Sequence, residues 1–161
     1  EVISTLVKQR PELTVGAGTI MSLDNLKKAV DCGAQFGVAP GFNPKIAAEA
    51  ISLKFPFSPG VMTPSEIECA LDLGIKHLKY FPAETAGGVK MLKSLVPPFA
   101  HTGVKFIPLG RISALNMKEY LAIPQVIAVG GTWIALKEDI ASGNWSKIKG
   151  NCVSALKILA A

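Results

Sequence analysis

Apolar and polar positions along this chain follow two periods that take turns. Val2, Ile3, Leu6 and Val7 recur at helical spacing, and Pro11 closes that segment. Residues 13–19 are then a short apolar run ending in glycines, a buried strand by length and flanks. Ser22 is the expected N-cap of a helix around Leu26, Ala29 and Val30 that stops at Gly33. Residues 36–41 read as the next strand and its turn, and Asn43-Pro44 opens a helix through Ile46, Ala47, Ala50 and Ile51. Residues 55–60 form a strand with a Pro-Gly end. Thr63-Pro64-Ser65-Glu66 is a capping box starting a helix that ends at Gly74. A strand over residues 75–81 breaks at Pro82. A helix follows from about Gly87 through Met91, Leu92 and Leu95 to a break at Pro97-Pro98. Residues 104–110 and 126–131 are the last two strands, with a helix over 115–121 between them. Helical patterns near 137–141 and 147–159 finish the chain.

Six strand–helix units thus follow one another, with strand ends roughly 20 to 28 residues apart. The strands are near-continuous apolar runs, as in a parallel sheet covered on both faces. Alternation this strict means α/β, either an open doubly wound sheet or a (β/α)8 barrel. Gly16 and Gly18 supply only the first half of a dinucleotide-binding glycine motif, which favours the barrel. A barrel needs eight strands. The expectation is therefore one incomplete barrel domain over residues 1–161, with two strands removed upstream or the sheet closed by another chain.

Composition narrows the chemistry. The 161 residues are 49% hydrophobic, enough for one domain with a substantial core, and the 18% of charged residues points to much buried or subunit-facing surface. The net charge of +5 is spread from Lys8 to Lys157 with no dense basic run. That argues against nucleic acid and suits a small anionic substrate. Cys32, Cys69 and Cys152 are widely spaced and read as reduced core or helix-packing thiols of a cytoplasmic protein. No apolar run has the length of a membrane span and no signal peptide is visible. The start at Glu1, without methionine and directly in a helical pattern, reads as the middle of something longer.

The polar or special groups at the strand ends are Thr19, Pro40, Pro59, Lys79, Gly110-Arg111 and Gly130-Gly131-Thr132, which a barrel brings to one mouth. Lys79 stands between Leu78 and Tyr80-Phe81. Burial there lowers an amine's pKa, and a partly neutral lysine attacks carbonyls to form a Schiff base. From the strand alone, the other reading is a lysine whose head reaches back to water. The glycines of the last two strand ends suit a phosphate held on backbone N–H groups; a tight turn explains Gly130-Gly131 equally well. His77 and His101 lack partners at metal or nucleophile spacing, and Lys76 reads as a solvated charge. Glu84 is expected to cap the next turn, and the last helix, with Lys147, Lys149 and Lys157, to be an amphipathic cover.

These motifs together resemble the bacterial 2-keto-3-deoxy-6-phosphogluconate (KDPG) aldolases, which also act as 4-hydroxy-2-oxoglutarate (KHG) aldolases. The resemblance runs over essentially the whole chain. It is carried by Val15-Gly16-Ala17-Gly18-Thr19, Ala39-Pro40-Gly41, Ser58-Pro59-Gly60-Val61, Lys79-Tyr80-Phe81-Pro82-Ala83-Glu84, Gly87-Gly88-Val89-Lys90, Gly110-Arg111-Ile112-Ser113 and Gly130-Gly131-Thr132-Trp133. It implies a class I aldolase on a (β/α)8 barrel, commonly a homotrimer, using no metal and no cofactor. Its substrate is a keto acid or phosphosugar acid. By resemblance Lys79 matches the Schiff-base lysine, Thr19 the threonine at the pyruvoyl end, Phe81 an aromatic beside it, and Gly110, Gly131 and Thr132 the phosphate loops. Pro40 and Arg111 lie at the matching strand ends and join the expected binding set. This chain departs from the family at Leu109, where a threonine is usual, and at Arg111, where a glycine is usual. A positive φ at Arg111 would carry strain of order 1 kcal/mol, whereas its guanidinium would add an anion contact. The resemblance puts the family's acid/base glutamate and carboxylate-gripping arginine ahead of Glu1, so the chain reads as an aldolase without its N-terminal quarter. The competing expectation is a fragment that binds anions or other chains without turnover. A phosphate-using isomerase is disfavoured, because it needs a carboxylate base or histidine at a strand end.

Overall fold

The computed structural model of the protein describes residues 1–160. Its strands are all parallel and short: β1 (Gly16–Ala17), β2 (Phe36–Val38), β3 (Phe57–Ser58), β4 (Gly60–Val61), β5 (His77–Tyr80) and β6 (Lys105–Pro108). They form two three-stranded sheets, ordered β1-β2-β3 and β4-β5-β6. Helix α1 (Val2–Gln9) precedes β1; α2 (Leu23–Asp31), α3 (Pro44–Ser52), α4 (Pro64–Asp72) and α5 (Gly88–Phe99) run between strands, and α6 (Met117–Leu121) follows β6. The chain closes with α7 (Lys137–Ala141) and α8 (Trp145–Ala160).

The helix starts follow from local chemistry. The Ser22 hydroxyl accepts from the Asn25 N–H, Asn43 Oδ1 accepts from the Lys45 N–H, and Thr63 and Glu66 close a reciprocal capping box. Each leaves one fewer orphan donor in a first turn. The apolar faces of these helices cover one side of the sheets, where Leu26, Ile67, Leu78, Tyr80, Leu92, Phe106 and Tyr120 are fully buried.

Prolines account for most departures from the expected elements. The strand expected over residues 55–60 splits at Pro59, which has no N–H to continue the ladder; residues before it pair with β2 and those after it with β5. Gly60 also packs against the Pro40 carbonyl, leaving no room for a Cβ. The strand expected over 126–131 is reduced to two bridges, Phe106 with Val126 and Leu109 with Gly130. Here Ile127 N–H donates to Phe106 O at 3.2 Å, but Pro108 cannot donate in return. Gly130 N–H then bonds to Pro108 O at 3.0 Å. Pro97 and Pro98, expected to end α5, instead lie inside its last turn. Both are exposed, as are Lys93 and Ser94, so the carbonyls that lose a donor face water.

Other expectations shrink. The strand over 13–19 keeps only Gly16–Ala17, because Val15 N–H bonds to the Gln35 side chain at 2.6 Å and Thr19 turns into the left-handed region. The helix over 115–121 begins at Met117, with Leu115 94% exposed in the turn before it. Of the cysteines only Cys32 is half-buried; Cys69 and Cys152 are exposed, so they are not core thiols. The last helix buries no residue fully: Ala155 and Ile158 touch the core, while Trp145, Leu156 and Leu159 lie largely in solvent. Its cover is partial.

Candidate active site

Lys79 is the third residue of β5, paired in register with Gly60 on one side and Ile107 on the other. Its backbone N–H donates to Pro59 O at 2.9 Å. Neighbours on both sides bury it to 8% exposure, so the lysine does not reach back to water. Burial holds its amine below the ordinary lysine value. The Nζ lies 4.5 Å from the centroid of the Phe81 ring, a cation–π contact that favours the protonated form and partly opposes that shift. Among the described residues no carboxylate forms an ion pair with it.

The turn after β5 is fastened to the turn after β6. Ala83 N–H donates to Leu109 O at 2.8 Å and Glu84 N–H to Gly110 O at 3.3 Å. Gly110 has φ 111° and lies so close to Pro82 and Ala83 that a Cβ would meet the Ala83 nitrogen at 2.9 Å. A side chain there would drive the turns apart. The Phe81–Pro82 peptide is cis. Arg111 is exposed and has φ 59°, the left-handed conformation expected where a glycine is usual; the Asn116 amide holds its carbonyl at 3.2 Å. Leu109 packs against Gly130, and Gly131 lies against the Ile112 carbonyl, so the turns after β6 and after residue 130 adjoin.

The remaining expected residues stand farther from this centre. Pro40 approaches through its carbonyl, which faces Gly60 opposite Lys79. Thr19 is exposed at φ 60°, on a turn held where Ile20 N–H donates to Val38 O at 3.1 Å. Thr132 is also exposed, lining a surface recess with Ala135, Leu136, Lys137 and Glu138. Among the described residues neither threonine has a hydrogen bond to Lys79 or its turn. His77, His101 and Lys76 are exposed, and among the described residues no group of three His, Cys, Asp or Glu side chains could hold a metal ion. Among the described residues no helix is long and apolar enough to cross a membrane.

The comparisons with known proteins converge on one family. The model of the KDPG and KHG aldolase family matches residues 1–151. The chain belongs to this aldolase family. It is 43% identical over 148 residues to the 2-dehydro-3-deoxy-phosphogluconate aldolase of Haemophilus influenzae, covering 92% of this chain and 69% of that protein. The aldolase of the same name from Treponema pallidum is 38% identical, over 99% of this chain and 75% of that one. Among solved structures, the KDPG aldolase of Legionella pneumophila superposes with a TM-score of 0.88 at 37% identity. That match covers 93% of this chain and 72% of the other, which holds pyruvate captured at low pH as a covalent carbinolamine intermediate. The fold is thus the TIM-barrel-like α/β fold of KDPG aldolases.

One feature of this family member escapes the sequence reading. The Tyr120 hydroxyl, fully buried on α6, donates to Glu84 Oε1, and the Tyr80 hydroxyl donates to Ala86 O at 3.2 Å. Glu84 therefore does not cap the next turn. α5 has Gly87 at its N-cap with no side-chain cap, and the carboxylate turns towards α6 instead. Burial, then the hydrogen bond to Glu84, pushes the Tyr120 hydroxyl well above the usual tyrosine value. Burial does the same for Tyr80, with a smaller push from the Glu84 charge. The available signal was that these two are the chain's only tyrosines and both sit at apolar positions, where a hydroxyl must find an acceptor.

Proposed function

We propose that this protein is a Schiff-base aldolase that cleaves 2-keto-3-deoxy-6-phosphogluconate to pyruvate and glyceraldehyde 3-phosphate, and 4-hydroxy-2-oxoglutarate to pyruvate and glyoxylate. The observation that carries this reading is Lys79: nearly buried, unpaired with any carboxylate among the described residues, with its amine lowered by burial and set over Phe81. A neutral Lys79 Nζ attacks the C2 carbonyl carbon, giving a carbinolamine that loses water to form a protonated imine. The C3–C4 bond then breaks, its electron pair moving towards the iminium to leave an enamine, while the C4 hydroxyl gives up its proton as the aldehyde departs. Protonation of the enamine at C3 and addition of water release pyruvate and restore the amine. These proton transfers need a general acid/base group.

Binding roles for Thr19, Pro40, Gly110, Arg111, Gly131 and Thr132 belong to the same proposal. It is supported by the adjoining turns that carry four of them and by the excess of positive charge. A (β/α)8 barrel of which this chain carries six of the eight βα units, a homotrimer and a cytoplasmic location extend the proposal, on the strength of the family resemblance. Coupled detection of pyruvate release from each substrate tests it. Release by the parent protein, abolished in Lys79→Ala, is expected. Absence of release at saturating substrate overturns the catalytic reading and leaves anion binding.

A further inference from the structure

The turn that carries Phe81 is held from two directions. From above, Ala83 and Glu84 N–H groups bond to the Leu109 and Gly110 carbonyls. From below, Tyr80 grips the Ala86 carbonyl and Tyr120 grips the Glu84 carboxylate. The second grip spans 36 residues of sequence. Gly88 borders it: a Cβ there would lie at ordinary van der Waals distance, 3.4 Å from Glu84 Oε1 and 3.6 Å from the Tyr120 hydroxyl. Tyr120 belongs to α6, the helix that follows the Gly110–Arg111 turn, and Asn116 at its start fixes that turn through Arg111 O and Ser113 N–H. A single short helix therefore anchors both the turn beside Lys79 and the turn expected to hold the substrate's anionic end.

We propose that Tyr120 and Glu84 are positioning residues, which hold the Phe81 turn against the Gly110 turn and so fix the aromatic ring beside the Lys79 amine. The role rests on the reading of Lys79 as the imine nucleophile. Glu84 works as a hydrogen-bond acceptor, taking the buried tyrosine hydroxyl on Oε1. A displaced nucleophile lowers the rate of the step it performs more than it weakens binding, and a shift on the order of 1 Å can cost about a hundredfold.

The test measures borohydride trapping of pyruvate on the protein as a function of pyruvate concentration, for Tyr120→Phe, Glu84→Ala and Glu84→Gln. Tyr120→Phe and Glu84→Ala are expected to lower the maximal trapping rate by about tenfold or more, with a smaller change in half-saturating pyruvate. Glu84→Gln, which keeps an acceptor oxygen, is expected to recover most of that loss. Trapping within about twofold of the parent in both Tyr120→Phe and Glu84→Ala overturns the role, whatever happens to their thermal stability. Glu84→Gln as slow as Glu84→Ala overturns it too, because charge and not hydrogen bonding would then matter. Glu84 is exposed, so its variants remain informative if Tyr120→Phe does not fold. Absence of any adduct in the parent protein instead defeats the imine reading itself, and the two failures are distinguishable.

Discussion

The strands around Lys79 and the helices that end the chain are built on different terms. β5 has a ladder on each side, and Leu78, Tyr80 and Phe106 around it are fully buried. α8 is longer than any other helix described, yet it buries no residue fully and leaves Trp145 62% and Leu156 64% exposed. Besides the core contacts of Ala155 and Ile158, polar bonds tie it down: Lys147 Nζ to the buried Asp139 at 3.0 Å, and the Asn151 amide to the carbonyls of Trp133 and Ile134. The contrast explains where a reactive amine can be made. Lowering a lysine's pKa needs neighbours that cannot move aside to admit water, and the β4–β6 region supplies them around Lys79.

The largest expected effect breaks that region directly. Phe106→Ala removes a fully buried ring from β6 and is expected to cost about 3–5 kcal/mol in denaturant unfolding. A loss below about 1 kcal/mol would show that the packing around β5 is loose.

A smaller effect has the opposite sign. Lys79→Met removes a buried ammonium and is expected to stabilise the protein by about 0.5–2 kcal/mol near neutral pH. The sign follows from linkage. The folded-state pKa of Lys79 lies below its ordinary value of 10.5, so the unfolded chain binds more protons and parent stability rises with pH through that window. The advantage of the methionine variant is therefore greatest below the lowered folded pKa and disappears as pH climbs towards 10.5. Thermal unfolding across alkaline pH measures this, and a gain that grows with pH would contradict it.

The smallest effect lies at the other pole of the comparison. Leu156→Ala on α8 is expected to change stability by no more than about 0.5 kcal/mol, since most of its side chain is already in water. A loss comparable to that of Phe106→Ala would mean that α8 is covered in solution.

The same contrast governs what the sequence makes legible. Caps at Ser22, Asn43 and Thr63 are written within a few residues, and the structure places each as expected. The burial of Lys79 follows from the bulky groups flanking it in a central strand. Consequences of a missing N–H were harder to read, because they depend on which partner strand lies opposite. Pro59 divides one strand between two sheets, and Pro108 slips the register of residues 126–130 by interrupting its ladder. The prolines of α5, read as a break, are harmless where the freed carbonyls face water. Tyr120 and Glu84 lie 36 residues apart, and only the fold brings them together. Neither pattern nor spacing revealed how exposed α8 would be, since its apolar positions recur at helical period whether or not anything covers them.

The central claim is that burial at β5 singles out one lysine for carbonyl chemistry. Lys76 and Lys105 flank it closely, one exposed before β5 and one at the start of β6, and they serve as internal controls. Borohydride reduction in the presence of pyruvate, followed by peptide mapping, reads all three at once. The account predicts a reduced pyruvate adduct on Lys79 that appears at neutral pH and is missing from Lys76 and Lys105. An adduct spread over the three lysines, or none on Lys79 at saturating pyruvate, would contradict it.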